Sequence, residues 1–343
     1  MKTKMKKAAM LLITASLVFL LAACGGSSSS NGGNEGSAEK TYNFKMGHET
    51  PNTHLFHATA EKFAEELEKR SNGRMKVQIF PARQLGEEKD MVQQLETGAM
   101  EFAIITNSYM TTRSDFLNAM FMPFIFEDIT AASQARKTET VKKMFKELES
   151  QGLKAFDYVF AGNRHLLMVK NPVTSPEDLK GLKVRTLTAE SNIDFWNEVG
   201  VGPAPMPLSE IYTSLQTGMI DGVDIDLDAI VSVKFYEVAK NLTISNHSTL
   251  PSIMMASKKV FDSLPPEDQK IVEEAMMAAA EWSNQEVVKR ESENLKKLEE
   301  AGININKING AEVFKAEADK VKAKWAEKSP LIKEFLEEIS KLP

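Results

Sequence analysis

Short apolar stretches alternate along most of this chain with longer segments whose apolar residues recur every three or four positions. That alternation is the pattern of strands and amphipathic helices in α/β organisation. Tyr42–Gly47, Met75–Phe80 and Phe102–Thr106 read as strands. Between them, Thr53–Arg70 reads as a helix with Phe56, Ala60, Phe63, Ala64 and Leu67 on one face and Asn72-Gly73 at its end. Glu87–Thr97 reads as a second helix, closed by Gly98. A second series opens near Leu153, with strands around Arg164–Val169 and Leu182–Thr186 and helices around Asn192–Val199 and Ser209–Thr217.

The two series echo one another. Leu95-Glu96-Thr97-Gly98-Ala99-Met100-Glu101 and Leu215-Gln216-Thr217-Gly218-Met219-Ile220-Asp221 share an order of helix end, glycine cap and following strand. Each copy follows a proline-bearing strand end, Phe80-Pro81 or Met206-Pro207. Two equivalent α/β lobes are predicted, with a ligand cleft at the carboxyl ends of their strands. The last third differs in kind. Pro265-Pro266 opens a helical pattern that runs without Gly or Pro to Ala301, a rod of roughly 55 Å at about 1.5 Å per residue. It breaks heptad spacing, which disfavours a coiled coil, and its length suits a brace across both lobes. Helices around Ala311–Ala326 and Leu331–Leu342 close the chain.

The first forty residues follow other rules. Lys2, Lys4, Lys6 and Lys7 precede the apolar run Ala8–Ala22, too short for a membrane span and ending in Leu21-Ala22-Ala23-Cys24. This resembles a bacterial lipobox, and implies a lipoprotein signal peptide over 1–23 with Cys24 as the lipidated residue. Two acyl chains suffice for stable anchoring. Residues 24–40, mostly Gly, Ser and Asn after the cysteine, read as a flexible tether, which leaves 41–343 as the folded domain. Within it, lobe I is expected over about 41–160 plus returning segments, lobe II over about 161–250, and the spanning and C-terminal helices over about 264–343.

Composition removes several classes of function. Cys24 is the only cysteine, so no disulfide framework or cysteine zinc site is available. The net charge of −6 comes with no basic block, which argues against nucleic acid as a partner. Asp224, Asp226 and Asp228 imitate the start of a calcium loop, but Ala229 and Phe235 stand where glycine and glutamate are needed. His54 and His57 lack a third metal ligand and read as cap and surface residues. His48-Glu49 fails as a zincin motif at Asn52, and Gly200-Val201-Gly202 is half a dinucleotide fingerprint. No catalytic constellation emerges, and no metal or cofactor site is predicted, although a cation bridging a bound carboxylate is compatible with the sequence.

Many short motifs in fixed order do point one way. They are Ser71-Asn72-Gly73-Arg74, Phe80-Pro81-Ala82-Arg83-Gln84-Leu85-Gly86, Met122-Pro123-Phe124-Ile125-Phe126, Gly162-Asn163-Arg164, Asp178-Leu179-Lys180-Gly181-Leu182-Lys183-Val184-Arg185, Glu210-Ile211-Tyr212-Thr213-Ser214-Leu215-Gln216-Thr217-Gly218, Asp221-Gly222 and Leu264-Pro265. Together they resemble the extracytoplasmic binding subunits of tripartite ATP-independent periplasmic (TRAP) transporters, the dicarboxylate-binding family. The resemblance implies a two-lobed periplasmic-binding-protein-like fold with crossing strands and a long spanning helix, closing over a small organic acid. A sugar acid such as a uronate, or a four-carbon dicarboxylate, is the expected ligand, and membrane transporter subunits are the expected partners. Presentation of the ligand to a sensor kinase is the alternative, and a secreted sugar-acid hydrolase or lyase a further one.

The family's carboxylate-pairing arginine maps onto Arg185, whose guanidinium offers the parallel donors a carboxylate accepts. Its second arginine maps onto Arg164, for which a structural ion pair is an equal expectation. Glu49, leaving a strand at Gly47-His48, is expected at the cleft rim, with Gln84, Asn107 and Ser108 as further polar candidates. One departure stands out. Ile225 occupies the place of a ligand-touching asparagine, so either Asp224 or Asp226 takes over or the ligand presents a different surface there, and extra carboxylates near the cleft favour a hydroxyl-rich ligand over a second carboxylate.

Overall fold

A computed structural model describes residues 40–342, and the segment from Lys40 onward forms one compact unit. The expected signal segment, Cys24 and the tether lie outside the described residues. The sheet is built from β1 (Tyr42–His48), β2 (Met75–Phe80), β3 (Phe102–Thr106), β4 (Leu153–Met168), β5 (Lys183–Arg185), β6 (Gly202–Pro203), β7 (Gly222–Asp226), β8 (Asn241–Ser257) and β9 (Asn304–Lys307). Its order is β2-β1-β3-β8-β4-β7-β5-β6, with β9 beside β8.

β4 and β8, of 16 and 17 residues, are each shared by two half-sheets. The amino-terminal part of β4 pairs with Pro251–Ser257 of β8, where β3 also pairs; the carboxyl-terminal part pairs with β7 and with Asn241–Thr249. Between these stretches the register of the pair shifts, after Phe160 and again after Arg164. Gly162 there has φ +139°, and a Cβ would lie 3.0 Å from Glu291. Glu291 accepts from the Asn163 amide at 2.5 Å and from its side chain at 3.1 Å. The pattern of a strand starting near Arg164 is therefore corrected: it is the second half of β4, and the interruption at Gly162-Asn163 is a bulge held from elsewhere.

The two predicted strand-helix-strand units are present. Helices Glu88–Thr97 and Leu208–Gln216 are followed by Gly98 and Gly218 at φ +78° and +73°, then by β3 and β7. β3 lies parallel to β1 and β7 parallel to β5, so both halves deliver strand ends to the same region.

Helix Pro266–Glu300 braces both halves. Its Ser283 meets Thr59 at 2.8 Å and its Asn284 donates to the Tyr158 carbonyl at 3.0 Å. Further along, Asn294 donates to Asp228 at 2.9 Å. The closing helices are Gly310–Val313, Lys315–Lys328 and Pro330–Ile339, close to the expected spans. Trp325 donates to Asp194 at 2.8 Å, and Glu338 accepts the first amides of helix Glu139–Leu148, Glu139 and Thr140, at 2.9 Å each. One core centres on Phe44, Phe63, Phe102 and Met254, a second on Val223, Phe235 and Leu242, and a third, including Ile105, Trp196 and Phe335, draws on both halves. Apolar burial of this kind supplies the main drive for folding.

Candidate ligand-binding site

A cavity of about 250 Å³ lies where the strand ends of the two halves meet. Its apolar lining includes Leu187, Met206, Leu208, Ile225 and Leu250. The charged residues are set by particular strands.

Arg185 ends β5 and is buried. Its Nε and Nη2 both donate to the Met206 carbonyl, at 3.1 and 2.9 Å. Nη1 has no hydrogen-bond partner among the described residues, so the backbone orients the guanidinium and leaves one corner available. Burial first, then Arg164, push its pKa down to about 10, which keeps it charged at neutral pH.

Arg164 is wholly buried on β4. Its Nε donates to Asp224 Oδ1 at 2.6 Å and Nη2 to the Asp224 carbonyl. Nη1 lies 3.5 Å from Asp226 Oδ2, and neither of those two atoms has a hydrogen bond among the described residues. Arg164 is thus both a structural ion-pair partner and part of the cavity wall.

Asp224 is not at the cavity, contrary to expectation. It is enclosed by Arg164, by His247 at 3.0 Å, by Trp196 Nε1 at 3.0 Å and by Asn192 at 3.1 Å. Burial acts to raise its pKa, but Arg164 and His247 outweigh it and hold the carboxylate well below its usual range. Gln84 is corrected as well: it is exposed and outside the cavity, because Ala82 and Arg83, both at positive φ, turn the Pro81–Gly86 loop outward. Asn107 is buried but occupied, donating to the Leu117 carbonyl and accepting from the Tyr158 hydroxyl at 3.1 Å.

Five of the expected residues do come together, Arg185, Arg164, Glu49, Asp226 and Ser108. Asp226 also caps helix Leu227–Ser232 through the Ala229 amide at 2.8 Å. Asp228 serves the scaffold, accepting from the Leu55 amide at 2.7 Å beside Arg290 and Asn294. His54 caps helix Leu55–Arg70 as predicted, yet it is buried in the cavity wall, 3.5 Å from Asp228. His57, half-buried, lies 3.1 Å from His48.

Three participants escaped the sequence reading. Glu88 accepts from the Thr106 amide at 2.5 Å and its hydroxyl at 2.8 Å. The Met206 carbonyl, a backbone group, leaves no sequence signal. Thr188 bonds Ser108 through three contacts of 2.9 to 3.1 Å, closing one half onto the other beside the cavity; its place just beyond Arg185 was the available clue.

Two half-sheets sharing crossing strands, closed on an arginine-bearing cavity, define a solute-binding protein. The profile of bacterial extracellular solute-binding proteins, family 7 (DctP), matches residues 46–329. The 2,3-diketo-L-gulonate-binding periplasmic protein YiaO of Escherichia coli K12 is 30% identical over 263 residues, 77% of this chain and 80% of that one. Among solved structures, a TRAP periplasmic solute-binding protein of Roseobacter denitrificans with bound β-D-glucuronate superimposes with TM-score 0.82 at 26% identity, covering 88% of this chain and 100% of that one. One from Sulfitobacter sp. NAS-14.1 with bound β-D-galacturonate gives TM-score 0.80 at 27% identity, covering 85% and 98%. The chain belongs to this family of extracellular solute-binding proteins that serve TRAP transporters.

Proposed function

We propose that the protein is held outside the cytoplasmic membrane by lipid on Cys24, captures a sugar acid of the hexuronate type and presents it to TRAP membrane subunits for uptake. The observation that carries the ligand reading is the oriented, partly unpaired guanidinium of Arg185 in a cavity that also holds hydroxyl acceptors. A carboxylate completes the arginine, and sugar hydroxyls donate to Glu49 and Asp226. Similarity to the glucuronate-bound and galacturonate-bound structures supports the same class. The role is binding without catalysis, and the charge of Arg185 needs no cofactor to meet the ligand.

The test is thermal unfolding of the chain from Lys40 onward with D-glucuronate, D-galacturonate, succinate, D-glucose and D-galactose. A ligand present at about a thousand times its Kd adds about 4 kcal/mol of stability, so a true ligand raises Tm plainly. A hexuronate is expected to do so and the neutral hexoses not; a shift with hexoses alone contradicts the reading. For the anchor, Cys24→Ser is expected to abolish incorporation of radiolabelled palmitate in the producing cell. Undiminished labelling places the lipid elsewhere.

A further inference from the structure

The cavity's cations are already committed in large part. Arg164 is engaged by Asp224 and faces Asp226, and Arg185 retains one unpartnered corner. Lys89, the other cationic lining residue, is exposed. Against them the lining holds Glu49, Glu87, Glu88 and Asp226. Glu88 is fixed by its two bonds to Thr106, whereas the Glu49 carboxylate makes no hydrogen bond among the described residues.

Both acids already carry an electrostatic load. Burial raises Glu88 and the neighbouring Glu49 raises it further; burial raises Glu49, with Arg185 and Arg83 offsetting only part of that. One ligand carboxylate satisfies Arg185. Apart from the exposed Lys89, a second finds no cation that does not already face an acid, and it must share the cavity with this half-buried pair, either repelled by it or drawing in an extra proton.

We propose that the site admits acids with a single carboxylate and a neutral, hydroxylated remainder, and that Glu49 and Glu88 are the residues that reject a second carboxylate. The inference rests on Arg185 as the carboxylate anchor and deepens that reading: within organic acids, it excludes the diacids. Hydroxyls fit where the second anion does not, since they donate to Glu49 and Glu88, and discrimination arises from an unfavourable contact with the competitor as much as from a good one with the ligand.

The experiment is calorimetric titration at pH 8, where protonation of the pair masks repulsion least. D-Galactonate and galactarate, and D-gluconate and D-glucarate, are open-chain pairs differing at one terminal carbon, and D-galacturonate serves as the reference monoacid. In the unaltered protein, the diacids are expected to bind at least about tenfold more weakly than the best monoacid. In Glu49→Gln/Glu88→Gln, galactarate affinity is expected to rise by about tenfold, with the single Glu49→Gln giving part of the gain and thermal unfolding verifying the fold. Diacid binding within about threefold of the best monoacid, or no gain of galactarate affinity in the variants, overturns the inference while leaving the Arg185 anchor intact. If none of the monoacids binds, the anchor reading falls and this inference with it.

Discussion

Arg185→Ala is expected to weaken binding of the captured acid by about 30-fold or more, a loss above about 2 kcal/mol. The substitution removes a buried charge whose Nε and Nη2 are spent on the Met206 carbonyl and whose Nη1 is the corner left for the ligand. A ligand carboxylate then enters a cavity still lined by Glu49, Glu88 and Asp226, where Arg164 is already engaged by Asp224 and Lys89 is exposed. Leaving one member of a buried charged pair unmatched costs more than an ordinary hydrogen bond contributes. Arg185→Lys should recover only part of the loss, because an ammonium lacks the fork that bonds Met206 and the ligand at once. Isothermal titration of both variants measures the effect, and an affinity within about threefold of the unaltered protein removes Arg185 from the site.

Asp224→Ala is expected to lower the unfolding free energy by about 3–5 kcal/mol. Arg164, with no solvent exposure, loses its Nε partner and keeps only the backbone carbonyl of residue 224 and Asp226 at 3.5 Å. The indole of Trp196 and the amide of Asn192 lose their shared acceptor in the same step, and His247 loses the carboxylate 3.0 Å from its Nε2. Breaking a buried pair from one side strands the other charge, which is why the cost exceeds the net worth of the pair. Urea unfolding of the chain from Lys40 onward reads it directly. A loss below about 1 kcal/mol contradicts the assignment of Asp224 to the scaffold, since a residue free to serve the ligand would be removable at that cost.

What could be read along the chain was what local pattern controls. Apolar spacing and Pro265-Pro266 defined the brace Pro266–Glu300, and the repeated glycine caps at Gly98 and Gly218 announced two equivalent halves. Arg185 was singled out by the family resemblance, supported by its place at the end of an apolar strand where open α/β sheets place ligands, and it lines the cavity. Asp224 was misplaced because residues two apart on a strand share a face but not a depth: Asp226 stands at the end of β7 and reaches the cavity, while Asp224 lies one step back among buried donors. The continuity of β4 through Gly162-Asn163 was hidden because its support, Glu291, is 128 residues away. Glu88 looked like any acid in a first helical turn until Thr106 fixed its carboxylate at the cavity wall.

Ile225 carries a similar lesson. Its place in the family pattern left two outcomes open, a flanking aspartate taking over or a different ligand surface there; Ile225 lines the cavity as an apolar contact, and of the two flanking acids Asp226 reaches it and Asp224 does not. In the proposed binding mode the ligand presents a carboxylate to Arg185, C–H surface to Leu187, Met206, Leu208, Ile225 and Leu250, and hydroxyls to the acids.

The measurement that bears most directly on capture at Arg185 is a crystal structure of the chain from Lys40 onward grown with D-galacturonate. One sugar acid is expected in the cavity, its carboxylate accepting from Arg185 Nη1 and its hydroxyls turned toward Glu49 and Glu88. A ligand bound in the reverse sense, or outside this cavity with Arg185 untouched, contradicts it.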